Sequence, residues 1–227
     1  MDIEQEARDR LFPSLSDPSY LVLRSRRLIF SQWAQRFGGR RLTILDVGGR
    51  YQPYRTLFPN LKRYIAIDLI RTPAVSVIAD GERLPFLSES FDLVIATQTV
   101  EYFRDPGAAL QQIHAILKPD GVFLGSFAAC VPRFVEHERW RFTPNGLLTI
   151  LKPFAKVEII PELHSPASVL RTINLALNSF VRYDAIRSVY QWSLCPLLNL
   201  AGLGIEKLNL TSNDQFTANY SVFATKQ

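Results

Sequence analysis

Apolar residues in this chain gather in short runs, at Leu42–Val47, Tyr64–Asp68, Val75–Ile78, Phe91–Thr97, Val122–Phe127, Val157–Ile160 and Tyr220–Ala224. Several lack the polar alternation of a half-exposed strand, the pattern expected of parallel strands covered on both faces. Between the runs, four dipeptides set a short polar residue before proline: Asp17-Pro18, Asp105-Pro106, Thr143-Pro144 and Ser165-Pro166. Such a side chain can accept a hydrogen bond from a first-turn amide, and proline at the first helical position gives up a donor that has no partner there. The pairs predict helices over about 18–37, 106–117, 144–152 and 166–190. Strands alternating with helices predict an α/β fold, an open, doubly wound parallel sheet. A helical insertion near the C-terminus, over about 166–210, precedes the last strand.

The composition is that of a folded globular chain. Of 227 residues, 47% are hydrophobic and 21% charged, which excludes the charge-rich, core-poor balance of disordered chains. Met1 to Arg10 mixes both charge signs without the apolar core of a secretory signal. Leu194 to Ile205 is interrupted by Pro196 and Asn199 and falls short of the ~20 residues that span a bilayer. The two cysteines, Cys130 and Cys195, form no CxxC pair and suggest neither a zinc site nor a disulfide framework. A reducing cytoplasm is therefore the expected location, and no metal is expected. The charge of +5 and pI near 9.4 suit an anionic partner. The arginines, however, come in small groups (Arg24, Arg26, Arg27; Arg40, Arg41; Arg139, Arg141), as on solvated helix and loop faces.

In a doubly wound sheet, ligands bind outside the carboxyl ends of the strands, where strand order reverses. The first strand ends Asp46-Val47-Gly48-Gly49, an acid and two glycines where the backbone turns beside a ligand. The second ends in Asp68, 22 positions after Asp46, a spacing that suits a carboxylate accepting hydrogen bonds from ribose hydroxyls. A helix cap or surface acid is the plainer alternative. Then come Ala79-Asp80-Gly81-Glu82-Arg83-Leu84-Pro85-Phe86, Ser90-Phe91-Asp92 running to Thr97-Gln98-Thr99-Val100-Glu101-Tyr102, and Leu117-Lys118-Pro119-Asp120-Gly121.

This succession, over about Leu42 to Phe127, resembles the methyltransferase-type-11 group of class I S-adenosylmethionine-dependent methyltransferases. That group's pattern reads roughly LDxGxGxG, a strand ending in Asp, AD-x-LPF, SFD, LEH and L-KPGG. The resemblance implies a Rossmann-like, mostly parallel seven-stranded sheet and S-adenosyl-L-methionine as cofactor, held at the loop by Asp46, Gly48, Gly49 and Arg50. It further implies Asp68 at the ribose and Asp80 at the adenine, with Leu69 and Gly81 as further cofactor contacts. Thr97 and Gln98 would lie beneath the sulfonium with Glu101. Two departures stand out: Arg50 and Gln52 replace the group's second and third glycines, and Tyr102 replaces the histidine of LEH. Arg50 either pairs with the methionine carboxylate or crowds the pocket.

On this reading 1–227 is one methyltransferase domain, with an N-terminal helical segment (1–40), a cofactor-binding core (41–128) and an acceptor-side segment (129–227). After the fifth strand, His137 to Thr143 leads into a helix. His137 and Glu101 are the candidate proton acceptors, and His137, Trp140 and Arg141 the candidate acceptor contacts; for His137 a surface role is the plainer alternative. The implied function is methyl transfer to a small-molecule or glycan acceptor. The alternative is a catalytically inactive methyltransferase-like binding or scaffold protein. An NAD-dependent oxidoreductase would want G-x-G-x-x-G after the first strand, which Gly48-Gly49-Arg50-Tyr51-Gln52 does not supply. Nucleic acid is disfavoured as acceptor, because Ala96-Thr97-Gln98-Thr99 lacks the Pro-Pro-aromatic run of enzymes that methylate base amines. The apolar stretch from Tyr190 to Ile205 is expected to cover the acceptor pocket, form a homo-oligomer contact or pack in the core. Peripheral membrane contact stays open.

Overall fold

The computed structural model describes residues 2–133, 135–208 and 213–227. They form a seven-stranded sheet of β1 (Leu42–Val47), β2 (Leu61–Asp68), β3 (Val77–Ile78), β4 (Phe91–Thr97), β5 (Leu117–Ala128), β6 (Lys156–Pro161) and β7 (Asn219–Thr225), in the order β3-β2-β1-β4-β5-β7-β6. The first five strands run parallel, and β7 lies antiparallel between β5 and β6. This is the Rossmann-like, mostly parallel sheet that the strand pattern and the resemblance together predict. Chain order reverses between β1 and β4, so their carboxyl ends diverge around a crevice.

Alternation along the central strands divides the core. Ile44, Leu93 and Leu124 turn toward α2 (Tyr20–Gln35), where they meet Phe30 and Trp33. Leu45, Val94 and Phe123 turn the other way, toward Leu110 and Ile113 of α3 (Pro106–Ile116) and Leu147 of α4 (Pro144–Ile150). Phe30, Trp33, Ile44, Leu45, Leu93, Leu110 and Phe123 are fully buried, each contributing roughly 1.5–3 kcal/mol or more. The floor of the crevice is thus held rigidly from both sides.

Two of the four predicted caps form as expected. The Asp105 carboxylate accepts from Ala108 N at 3.0 Å, and the Thr143 hydroxyl accepts from Gly146 N at 3.2 Å. The other two differ. Asp17 accepts from Ser19 N at 2.7 Å in a turn before α2, which begins two residues past Pro18. Helix α5 (Ser165–Phe180) starts at Ser165 itself, whose hydroxyl donates to Asn213 O at 2.8 Å instead of capping the helix. The helix expected over 166–190 is two, because the chain extends at Val181 and restarts as α6 (Asp184–Trp192). An unpredicted α1 (Ile3–Leu11) is capped by Asp2.

The stretch around Pro196 and Asn199, irregular by sequence, is helix α7 (Leu194–Leu208). Pro196 falls in its first turn, where a missing N–H costs nothing. Asn199 is buried, its amide donating to Leu15 O at 2.8 Å and Asp17 O at 2.9 Å. Gly202 lets α7 press on α2: a Cβ there would lie 2.5 Å from Leu21 Cδ1. The helical insertion is therefore real and docked, and its expected end at 209–210 lies outside the described residues. Among these residues no helix is long and apolar enough to cross a membrane, and no cluster of His, Cys, Asp and Glu is arranged to hold a metal.

Candidate functional site

The chain leaves β1 through a tight turn. Gly48, at φ +75°, and Gly49 both donate their N–H to Ile67 O, at 2.9 and 3.0 Å, which ties the turn to β2. A Cβ on Gly48 would lie 2.2 Å from Thr99 Oγ1. That hydroxyl is shared between Val47 O (3.2 Å) and Thr97 O (3.1 Å), so the segment after β4 is drawn against the turn. Gly48→Ala combines a left-handed backbone with this overlap. It is expected to lower stability by roughly 1–3 kcal/mol and to weaken S-adenosylhomocysteine binding about tenfold or more, read by urea denaturation and calorimetry.

Asp46 lies beneath the turn, buried, accepting from the Tyr64 hydroxyl at 2.7 Å. Burial pushes its carboxyl up to about 7; the Tyr64 hydrogen bond opposes that shift and Asp68 adds to it. Asp68, at the end of β2, accepts from Ile70 N at 2.8 Å on Oδ1 and faces Arg50 Nε at 3.5 Å on Oδ2. A carboxylate offers about four lone-pair positions, so it retains capacity for ribose hydroxyls. Leu69 stands exposed beside it. Arg50 therefore lies over the Asp68 carboxylate, and its guanidinium competes there with any hydroxyl donor. Gln52, at φ +52°, keeps the left-handed backbone in a place where the type 11 pattern has glycine. Its amide donates to Ala74 O and accepts from Arg55 Nη1 at 3.2 Å, so side-chain contacts offset the strained conformation.

Asp80 follows β3 and accepts from Glu82 N at 2.9 Å, while Gly81 is wedged under Phe103. Thr97 closes β4. Gln98 follows it at φ +51°, its backbone N–H on Ser126 O (2.9 Å) and its side-chain amide on Ser126 Oγ (3.1 Å). Ser126 in turn donates to Glu162 Oε1 at 2.6 Å. Its hydroxyl proton is thereby committed, which fixes Gln98 with its NH2 toward Ser126 and its carbonyl oxygen turned away. Glu162 also takes Arg26 in bidentate fashion (2.8 and 2.9 Å), Ser221 Oγ (2.9 Å) and Asn219 Nδ2 (3.1 Å), all buried. One buried carboxylate thus joins α2, β5, β6 and β7 beneath the crevice. Sequence reasoning missed Glu162, Arg26 and Ser126, because 136 positions separate the ion pair and no local pattern announces it.

Glu101 lies in the 3-10 turn Val100–Tyr102, and its Oε2 is buried without a hydrogen-bond partner. Burial pushes its carboxyl up to about 8, although its own backbone N–H and the Arg26 charge favour the ionised form. The segment after β5 is strapped onto this turn. Arg139 N and Trp140 N donate to Glu101 O at 2.9 and 3.2 Å, and Trp140 Nε1 donates to Phe103 O at 2.7 Å. Tyr102 donates to Glu138 Oε1 at 3.3 Å, and Arg141 binds Glu138 Oε2 at 2.5 Å together with the carbonyls of Trp140 and Pro132. Arg141 accordingly holds the segment in shape. His137 is exposed and rests on the Tyr102 ring, 5.4 Å between centroids. Position 134 of this segment lies outside the described residues.

Asp46, Gly48, Gly49, Arg50, Asp68, Leu69, Asp80, Gly81, Thr97 and Gln98 all stand at or just past the carboxyl ends of β1 to β4, and the Glu101 turn follows β4 directly. A separate cavity of about 1160 Å³ opens between α1 and residues 51–56, lined by Tyr51, Gln52 and Tyr64 but not by Asp68, Asp80 or Glu101. It is distinct from the crevice.

The type 11 family model, described as a methyltransferase domain, matches residues 45–125, the stretch that carries this turn, Asp68, Asp80 and Glu101. The human protein named arginine-hydroxylase NDUFAF5, mitochondrial, is 54% identical over 99 residues, covering 40% of this chain and 28% of that protein. The Danio rerio protein of the same name is 50% identical over 141 residues, covering 58% and 40%. The chain thus spans well under half the length of these relatives. Among solved structures, 1,6-didemethyltoxoflavin-N1-methyltransferase of Burkholderia thailandensis, with its substrate and S-adenosylhomocysteine bound, superposes with TM-score 0.54 at 17% identity, covering 90% of this chain and 79% of that one. Residues 45–125, with the glycine turn after β1, thus match the type 11 methyltransferase domain, and the strand order is that of the class I S-adenosylmethionine-dependent methyltransferase fold.

Proposed function

We propose that the protein binds S-adenosyl-L-methionine in the crevice between β1 and β4 and transfers its methyl group to a polar small-molecule or glycan acceptor, the whole chain acting as one domain. The observation that carries this is the buried Glu101 carboxyl, whose Oε2 has no hydrogen-bond partner, one turn past a strand end that adjoins a glycine turn and Asp68. Strongly perturbed carboxyls in a cleft mark functional sites.

The residues fit the cofactor. Gly48 and Gly49 allow close backbone approach, Asp68 has acceptor capacity left for ribose hydroxyls, Leu69 offers an apolar face to the adenine, and Asp80 can take its amino group. The sulfonium supplies an already activated methyl group, so the protein's task is orientation and exclusion of water. Thr97 and Gln98 shape the floor. Glu101 takes the proton that an O–H or N–H acceptor must lose, its carboxyl near the pH at which such a base works best. His137 and Trp140 meet the acceptor at the mouth, and their alanine variants are expected to lower kcat/KM while leaving S-adenosylhomocysteine affinity unchanged.

A second reading is favoured by the relatives named arginine-hydroxylase, whose identity to this chain is about half over the matched stretches. On it, the methyl acceptor is an arginine guanidinium, which the Glu101 carboxyl and the Gln98 carbonyl oxygen would receive. Those relatives are named mitochondrial; for this chain the cytoplasm remains our reading. Incubation with methyl-labelled S-adenosylmethionine and cell extract, fractionated into metabolites, glycans and proteins, tests the choice. Label in the metabolite or glycan fraction supports the first reading, and label on arginine the second. No label from a protein that binds S-adenosylhomocysteine would point to a binding or scaffold role.

A further inference from the structure

The insertion between β6 and β7 carries more apolar surface than its own packing uses. On its inner side, Asn174, Tyr190, Cys195, Asn199 and Gly202 are buried, with Tyr190 Oη donating to Asn174 O at 3.0 Å and Asn174 Nδ2 donating to Asn199 Oδ1 at 3.1 Å. On its outer side Phe180 is 80% exposed, Tyr183 71%, Val189 67%, Trp192 75% and Leu197 63%. Helix α6 shows how this arises. Ile186, Val189 and Trp192 share one arc, Tyr190 turns inward beside it, and Asp184, Arg187, Ser188 and Gln191 occupy the rest. Single exposed apolar residues are ordinary, but a row of large ones on three successive helical segments marks an interaction surface.

The charge around this face identifies its partner. Asp184 is paired with Arg187 at 2.8 Å, and Glu206 with His164 at 3.1 Å. Arg182 and Lys207, both exposed, have no acidic partner among the described residues. The uncompensated charge of the insertion is therefore positive, in a chain of net charge +5. A symmetric dimer through this face would bring those cations against a surface whose carboxylates are already engaged. We propose that the outer face of α5 to α7 seats on an anionic lipid surface, with α6 in the plane of the headgroups. A helix with one apolar arc, one polar arc and low overall hydrophobicity partitions there without spanning. Tyrosine and tryptophan favour that boundary because their rings are apolar and their tips polar. Arg182 and Lys207 meet the lipid phosphates.

Sedimentation with vesicles tests this, using equal parts phosphatidylcholine and phosphatidylglycerol against phosphatidylcholine alone, at low salt. The full chain is expected to sediment with the mixed vesicles and to stay in solution with the neutral ones. The double variant Val189→Ser, Trp192→Ser is expected to lose partitioning roughly tenfold or more, and Arg182→Gln about fivefold, for one cation near an anionic surface. Both change exposed side chains, so circular dichroism is expected to match the parent. Absence of sedimentation, or sedimentation that neither variant alters, would overturn the proposal. So would a dimer seen by sedimentation velocity without lipid and dispersed by the double variant, since a second copy would then be the occupant.

Discussion

Glu162→Ala is expected to destabilise the fold by roughly 3–5 kcal/mol, the cost of breaking a buried ion pair by removing one partner. The penalty comes less from the lost attraction than from what is left behind. Arg26, at 5% exposure, would keep a buried guanidinium with no counter-charge, and Ser126, Ser221 and Asn219 would each lose the acceptor that Glu162 supplies. A contrast exists within the same chain. Arg36 and Glu158 also pair at 2.7 Å, but their side chains are 42% and 39% exposed, so Glu158→Ala is expected to cost about 1 kcal/mol or less. Urea denaturation of both variants measures the difference. A loss at Glu162 no larger than that at Glu158 would mean that the network does not hold the site floor together.

Glu101→Gln is expected to lower kcat by roughly 10²- to 10⁴-fold, the usual contribution of a positioned proton acceptor, with S-adenosylhomocysteine affinity unchanged. On the proposed function, the parent protein should gain activity as pH rises through about 8, where this buried carboxyl ionises, and the variant should lack that limb. Stability moves the opposite way. A carboxyl whose folded value lies above its ordinary 4.5 stabilises fully below 4.5, and that contribution fades as pH rises toward and through 8. The glutamine variant removes the dependence, so its stability relative to the parent should improve with rising pH. An unchanged pH-rate profile would exclude Glu101 as the proton acceptor.

The sheet was legible in the sequence because its strands are buried on both faces. A run such as Phe91–Thr97 can be little else between polar turns, and all seven predicted runs fall within observed strands except for the first residues of Val75–Ile78. Helix starts were legible only where the polar residue itself caps, as at Asp105 and Thr143. At Asp17 and Ser165 the same dipeptide chemistry is spent on a turn and on a distant carbonyl, choices that tertiary contacts make. Pro196 and Asn199 misled for the same reason: a proline in the first turn and an asparagine satisfied by the Leu15–Asp17 loop are compatible with a helix.

At the crevice, local patterns located the glycine turn and the acids, since strand ends set them. Two features were out of reach. The substitution at 52 looked like a lost glycine, yet the left-handed backbone survives on Gln52, held by contacts to Ala74 and Arg55. Arg50 had two readings, and the structure sets its guanidinium 3.5 Å from Asp68, an arrangement that depends on where β2 ends relative to β1. The support beneath Gln98 depends on residues from four distant elements, which no spacing rule connects.

The central claim, that this crevice binds S-adenosylmethionine through Asp68, is tested most directly by calorimetric titration with S-adenosylhomocysteine of the parent chain and of folded Asp68→Ala. Saturable binding to one site is expected in the parent, weakened by roughly 1.5–3 kcal/mol in the variant, the range for hydrogen bonds to a charged group. No binding to the folded parent, or equal affinity in the two proteins, would contradict it.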